Sequence, residues 1–503
     1  MAGFWRLVRQ AAPTVLIGLA LAQCAASAGD WVRFRGPNGS GVSADSKPTP
    51  TTWTPTENLK WKVPLPGPGS SSPILVGDKL FITCWSGYGV GRGQAGDQKN
   101  LRRHLLCIDR KTGSTVWTRD VEPVLPEDQY GGMFAEHGYA SHSPVSDGER
   151  VYVYFGKSGA LAFDLEGKQL WQTKLGTGSD PRGWGSASSP ILYKDLVIVT
   201  ASSESESIVA LDKTTGKVVW KQEADGFRGT WGTPVLVEAE GRTDLVIGVP
   251  YEIWGFDPQN GKLRWYVEAM NTDSYCSSVV SDGSVVYGIE GRGGGSIAVR
   301  AGGKDDVSKS HVVWRGRDAN RIGTPVIHDG RIYFFSGRVA NCIDAKTGEK
   351  IYQSRLTGGA GGDAAVAGGP GGGPGGGGPG GRGPGGPGGP GGAPGGPGGA
   401  GPGGGPGGRG PGGFGGGFGG GGGMRGQDYA SPVAADGKLY FVARGGDIFV
   451  VQLGKEFKQL AVNRVTADSE DFSATPAIAD GELFIRSNKH LYCVADTKGA
   501  AGK

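Results

Sequence analysis

Short apolar runs alternate with polar turns along most of the chain, at a spacing that suits strands rather than helices. In residues 189–222, Pro190-Ile191-Leu192, Leu196 to Ala201, Ser207 to Leu211 and Lys217 to Gln222 read as four strands. Tyr193-Lys194-Asp195 and Asp212-Lys213-Thr214-Thr215-Gly216 are the turns between them, supplying Gly for positive φ and Asp to bond its own backbone. The unit repeats. Its first strand is opened by Ser72-Pro73, Ser143-Pro144, Ser189-Pro190, Thr233-Pro234, Thr324-Pro325, Ser431-Pro432 and Thr475-Pro476, with Ser278-Val279 as a degenerate eighth member. The hydroxyl residues are spaced by 71, 46, 44, 45, 46, 107 and 44 residues, and the interval of 107 contains a 66-residue tract, 358–423, that holds 43 Gly and 11 Pro. Asp147-Gly148, Asp329-Gly330, Asp436-Gly437 and Asp480-Gly481 mark hairpins between the first and second strands.

Eight four-stranded antiparallel units of this size predict an all-β, eight-bladed β-propeller. Register between units supports it. Two residues before the third turn Asp stands a small side chain, Cys107, Ala162, Ala210, Gly255, Ala298, Cys342, Val450 or Cys493. A large aromatic follows on the fourth strand: Trp117, Trp171, Trp220, Trp265, Trp314 and Tyr352, with Leu460 in the seventh unit. The eighth unit ends near Lys498 without a fourth strand, and residues 59–65 resemble the missing one, so an N-terminal strand is expected to close the ring and remove an exposed edge. The predicted organisation is a signal peptide at 1–28, an N-terminal arm at 29–58, a propeller at 59–499, and a Gly/Pro-rich disordered insertion at 358–423 between blades six and seven.

The repeat Ala-Leu-Asp-x-x-Thr-Gly-x-x-x-Trp at Ala210 to Trp220, with variants at Cys107 to Trp117 and Gly255 to Trp265, resembles the tryptophan-docking repeat of the pyrroloquinoline-quinone (PQQ)-like propellers. Residues 31–42 are similar to the opening segment of secreted planctomycete-type members. The resemblance implies the eight-bladed fold for residues 30–357 and 424–499. It implies kinship with quinoprotein alcohol dehydrogenases and with the propeller lipoprotein of the outer-membrane barrel-assembly machine. The adjacent cysteine pair typical of the dehydrogenases is absent, and no counterpart is placed for their calcium carboxylate or Asp base, so PQQ is carried only as an alternative and no cofactor is assigned.

Composition narrows the partners. Lys+Arg 52 against Asp+Glu 48 gives +4 without a basic run, which excludes a polyanion binder and hence nucleic acid. Arg6 and Arg9 before the apolar run Ala11 to Ala22, with a small-residue cleavage site at Ala26-Ser27-Ala28, read as a secretory leader too short to span a bilayer. The protein is therefore expected to be extracytoplasmic, periplasmic or secreted, with no transmembrane segment. Leu21-Ala22-Gln23-Cys24 leaves open a lipid anchor at Cys24. Cys84 and Cys107 are the one pair considered for a disulfide, no Cys or His spacing suggests zinc, and no hydrolase or nucleotide motif occurs.

Propeller geometry puts the loops joining second to third strands, and those joining blades, on one face. All long insertions fall there, so it is the expected functional face. The inter-blade loops carry His142, Trp184, Trp231, Tyr275, Arg321 and Phe472, beside His137, Arg182 and Tyr429. Aromatic walls with a few cations suit an anionic planar ligand or a partner's peptide, although packing of the channel would use the same side chains. The hydroxyl column, repeated in all eight units, reads as a folding requirement. The sequence-level conclusion is a non-catalytic scaffold of the cell envelope that binds an envelope protein or a small-molecule ligand at this face, with a PQQ-dependent oxidoreductase as the alternative.

Overall fold

The structure, a computed structural model, describes residues 30–90, 95–290, 294–320, 322–359 and 427–496. Residues 1–29, which hold the expected leader and Cys24, as well as Arg321 and nearly all of the Gly/Pro tract, lie outside the described residues. The described residues form eight antiparallel blades of four strands, running from the channel outwards. Blade one is Ile74–Val76, Lys79–Ser86, Arg102–Asp109 and Thr115–Val121; blade three is Ile191–Tyr193, Leu196–Ala201, Ser207–Asp212 and Val218–Glu223. Blade eight is completed by Leu59–Pro64, which pairs with His490–Val494 and so closes the ring as the pattern predicts.

The turns are built as their residues dictate. In Asp329-Gly330, Asp436-Gly437 and Asp480-Gly481 both residues have positive φ, the backbone that makes the twist of a two-residue hairpin match its strands. In the outer turn of blade three, Asp212 accepts from the Thr214 and Thr215 amides at 3.1 and 2.7 Å and from the Thr215 hydroxyl at 2.8 Å. Those bonds to Thr215 pull its carboxyl below the usual range.

This turn is also the socket for the neighbouring blade. The Trp171 indole N–H donates to the Lys213 carbonyl at 3.0 Å, and a β-carbon on Gly216 (φ 71°) would lie 2.6 Å from the Trp171 ring. Trp61 to Arg110, Trp117 to Leu165, Trp220 to Pro258 and Trp314 to Ala345 repeat the contact. Blade four departs from it: Trp265 donates to the buried Asp244 carboxylate, and Asp305–Asp306 from the blade-five excursion pairs along that blade's outer edge.

The column of small residues has a direct cause. Cys107 pairs with Trp117, Ala210 with Trp220 and Gly255 with Trp265 across the strands, so a small side chain sits opposite each large one. The seventh blade corrects the sequence alignment, because Val450 faces Ala461 rather than Leu460. The Cys84–Cys107 pairing does not occur. Both thiols are free, with Cys84 opposite His104 and Cys107 opposite Phe81.

Candidate functional site

Strand A of each blade is an inner edge, where backbone groups lack a ladder partner. The structure satisfies them in two ways. The first is a girdle: the Ser72 amide donates to the Ser143 hydroxyl (2.8 Å), Ser143 to Ser189 (2.9 Å), Ser189 to Thr233 (3.0 Å), and so on through Ser278, Thr324 and Ser431 to Thr475. Seven links join the eight blades. At the seam between blades eight and one the Ser72 hydroxyl is buried without a partner.

The second is the N-terminal arm, whose role the sequence reading missed. Trp31 bridges to Leu75 in blade one, the Arg33 guanidinium donates to Pro234 O in blade four, and Val42 pairs with Ala434 in blade seven. Arg35 is fully buried and faces only carbonyls, those of Gly39, Ser40, Thr324, Pro325 and Pro432. Burial pulls its guanidinium down to about 9. Gly36 holds the turn because Trp31 packs where its β-carbon would be, at 2.7 Å. The arm is thus a floor across the channel, with Phe34 lining the cavity above it.

That cavity, about 160 Å³, is walled by two tiers. One is the eight girdle residues. The other stands two positions earlier in each blade: Ser70, Ser141, Ala187 and Ser473 are small, whereas Trp231, Cys276, Ile322 and Tyr429 make an apolar half. Met133, His137 and Trp184 enter from the loops. Trp184 and Trp231 have ring centroids 5.0 Å apart, the Trp231 indole donates to Gly185 O at 2.7 Å, and Arg182 stands 6.0 Å from the Trp231 ring centre. His137 must donate from Nε2 to the Trp184 carbonyl, an acceptor only, and its Nδ1 meets the Ser141 hydroxyl at 2.6 Å. Burial lowers its pKa, so the neutral tautomer with Nδ1 as acceptor is favoured.

The structure separates the six residues singled out from the sequence. Trp184 and Trp231 line the cavity; His142, Tyr275 and Phe472 do not. His142 points to the other side of its strand, edge-on to Tyr154 at 4.7 Å, with Nε2 3.2 Å from the Ser186 hydroxyl, which in turn donates to Glu204 at 2.7 Å. Tyr275 is fully buried, its ring where β-carbons on Gly248 and Gly288 would stand. Phe472 is core, 6.2 Å from the Tyr492 ring. Arg321 lies outside the described residues. Ser141, Cys276 and Ile322 were missed, although a step of two from each girdle hydroxyl points to them.

A ring of blades in which outer tryptophans dock in the next blade's turn, around a walled channel, defines a tryptophan-docking propeller. The family model described as outer membrane protein assembly factor BamB matches residues 98–205 and 196–369, together more than half of the chain, and the chain belongs to that family. A polyvinylalcohol dehydrogenase of Sphingopyxis sp. (strain 113P3) is 24% identical over 267 residues, 44% of this chain and 36% of that protein. The match therefore spans little more than a third of that curated relative's length. Among solved structures, BamB from Moraxella catarrhalis superposes with a TM-score of 0.52 at 12% identity, covering 86% of this chain and 96% of its own. Quinohemoprotein alcohol dehydrogenase from Comamonas testosteroni gives 0.57 at 10% identity, covering 94% and 81%. At such identities these two share the fold.

The dehydrogenase kinship raises PQQ, a tricarboxylate quinone. Among the described residues the cavity wall contains no Lys, Arg, Asp or Glu, and no cluster of three His, Cys, Asp or Glu is placed to hold a metal ion. Anionic carboxylates there would lack direct countercharge, which burial makes costly. The described part of the donor set thus supplies no countercharge for this group, and Arg321, beside the lining Ile322, lies outside it. No helix among the described residues is long and apolar enough to cross a membrane.

Proposed function

We propose that the chain is an extracytoplasmic binding propeller that takes a small ligand, or a side chain of an envelope protein, into the channel from the insertion-bearing face. The observation that carries this is the two-sided wall: Trp231, Cys276, Ile322 and Tyr429 on one half, hydroxyls and Ala187 on the other, above a floor built by the arm. Such a wall matches an amphipathic group, with apolar body against the tryptophans and polar edge toward the hydroxyls. Compartment and partner class rest on the leader pattern and on the family's description as an outer-membrane assembly factor. The test is photo-crosslinking from position 184 in envelope extract, alongside PQQ and Ca²⁺ titration followed by absorbance and dye-linked alcohol oxidation. A specific cross-link without quinone turnover supports the reading; stoichiometric quinone binding with turnover replaces it with an oxidoreductase.

A further inference from the structure

Away from the channel, blade one carries a constellation that neither the fold nor the binding reading uses. Ser86 ends strand Lys79–Ser86, His104 lies on Arg102–Asp109, and Asp120 on Thr115–Val121. The Ser86 hydroxyl is 2.7 Å from His104 Nε2, and His104 Nδ1 is 2.7 Å from Asp120 Oδ1. His104 and Asp120 are direct cross-strand partners, so the sheet itself sets that distance. A carboxylate only accepts, so the proton on the neutral imidazole sits on Nδ1, and Nε2 offers its lone pair to the Ser86 hydroxyl. This is the order of roles in a nucleophile, its general base and the carboxylate that orients the base.

Two further observations point the same way. A folding requirement would recur around the ring, as the girdle does, yet no other blade places Ser, His and Asp at these three register positions. The His104 side chain is nearly buried at 8% exposure, whereas that of Asp120 is 60% exposed and Ser86 is half-buried at the start of an insertion on the functional face.

We propose that Ser86, His104 and Asp120 form an acyl-transfer site that hydrolyses carboxylic esters. Ser86 stands at the rim, where residues 65–69 pack against the strand end: a β-carbon on Gly67 would be 3.6 Å from Ser86 Cα. Ser86 Oγ forms a bond to the acyl carbon while its proton passes to His104 Nε2. The ester C–O bond then breaks and the departing alcohol takes that proton. Water, deprotonated by His104, attacks the acyl-enzyme, releasing the carboxylic acid and returning the proton to Ser86 Oγ. No oxidant or reductant enters.

The test uses the full chain with a fluorophosphonate probe, read by peptide mass spectrometry, and p-nitrophenyl acetate, read as released nitrophenolate. The expected result is one adduct per chain on Ser86, loss of that adduct in Ser86→Ala, and a fall of at least tenfold in labelling rate in Asp120→Asn with thermal unfolding unchanged. Asp120 is exposed, so this second variant reports on the base even if Ser86→Ala folds poorly. An unlabelled wild-type chain beside a labelled control hydrolase, an adduct on Ser141 instead, or equal labelling of Asp120→Asn overturns the proposal.

Discussion

The Arg35 guanidinium donates to the Thr324 carbonyl at 2.8 Å across 289 residues of sequence. Thr324 is a girdle residue, so one side chain of the arm ties the channel floor to the inner edge of blade six, and through Pro432 O to blade seven. Edge carbonyls buried on the channel axis need donors, and a planar five-donor group serves several at once.

Replacing Arg35 by Met removes those donors but keeps much of the volume. Three buried carbonyls, of Thr324, Pro325 and Pro432, lose a partner, at about 1–3 kcal/mol for each orphaned group. Urea unfolding should show a loss of at least about 3 kcal/mol. A smaller loss means that water replaces the guanidinium and that the arm is a loose cover.

Gly216→Ala meets both a positive φ and the Trp171 ring, whereas Gly77→Ala, at φ 56°, has open space around its β-carbon. The second should cost only the backbone strain of about 1–2 kcal/mol. The first should cost measurably more, and a Trp171→Ala background should recover part of the difference. Equal losses in thermal unfolding would remove the socket argument.

The girdle, the Asp-Gly turns and the small-opposite-aromatic column were legible because each repeats. The arm was not, since Arg33 and Arg35 act on residues hundreds of positions away and have no counterpart in any other unit. His142 stood out because it is bulky where other blades are small, but it lies an odd step from Ser143, and strand alternation turns it away from the channel. Trp231 lies an even step from Thr233 and does face the channel; Tyr275 and Phe472, three before their hydroxyls, do not.

Trp231→Ala separates binding from packing. Trp231 is 9% exposed and packs at a tilt of 39° against Trp184. If the cavity binds a ligand or partner, affinity should fall by about 2 kcal/mol or more, as for a central aromatic anchor. Loss of melting temperature alone, with cross-linking at position 184 unchanged, assigns the ring to packing.

His142 is pushed down to about 3, first by burial, then by repulsion from His137 once that ring is protonated, and by the charge of Arg103. Its folded value lies below its ordinary 6.5. Its contribution is therefore present above pH 6.5 and lost as pH falls from there toward 3, with a slope of up to about 1.4 kcal/mol per pH unit. Glu204, raised by burial, acts in the opposite sense, its contribution being present at low pH and lost as pH rises through the raised value. Between pH 6.5 and 4, His142→Gln should flatten the fall in stability, while Glu204→Gln should raise stability most at the alkaline end, above the raised value. Parallel curves for wild type and both variants would contradict the burial of these groups.

The unpartnered Ser72 hydroxyl gives the ring a beginning and an end. A girdle with all links alike could part anywhere; this one behaves as a split washer, whose gap lies between Thr475 and Ser72 and is spanned outside by Leu59–Pro64. That gap is held by a bolt of another kind: the buried Arg486 of blade eight donates to the Ser71 carbonyl at 2.8 Å and to the Ser71 hydroxyl at 2.6 Å in blade one. Arg486→Met would withdraw that bolt and open the ring at this junction first.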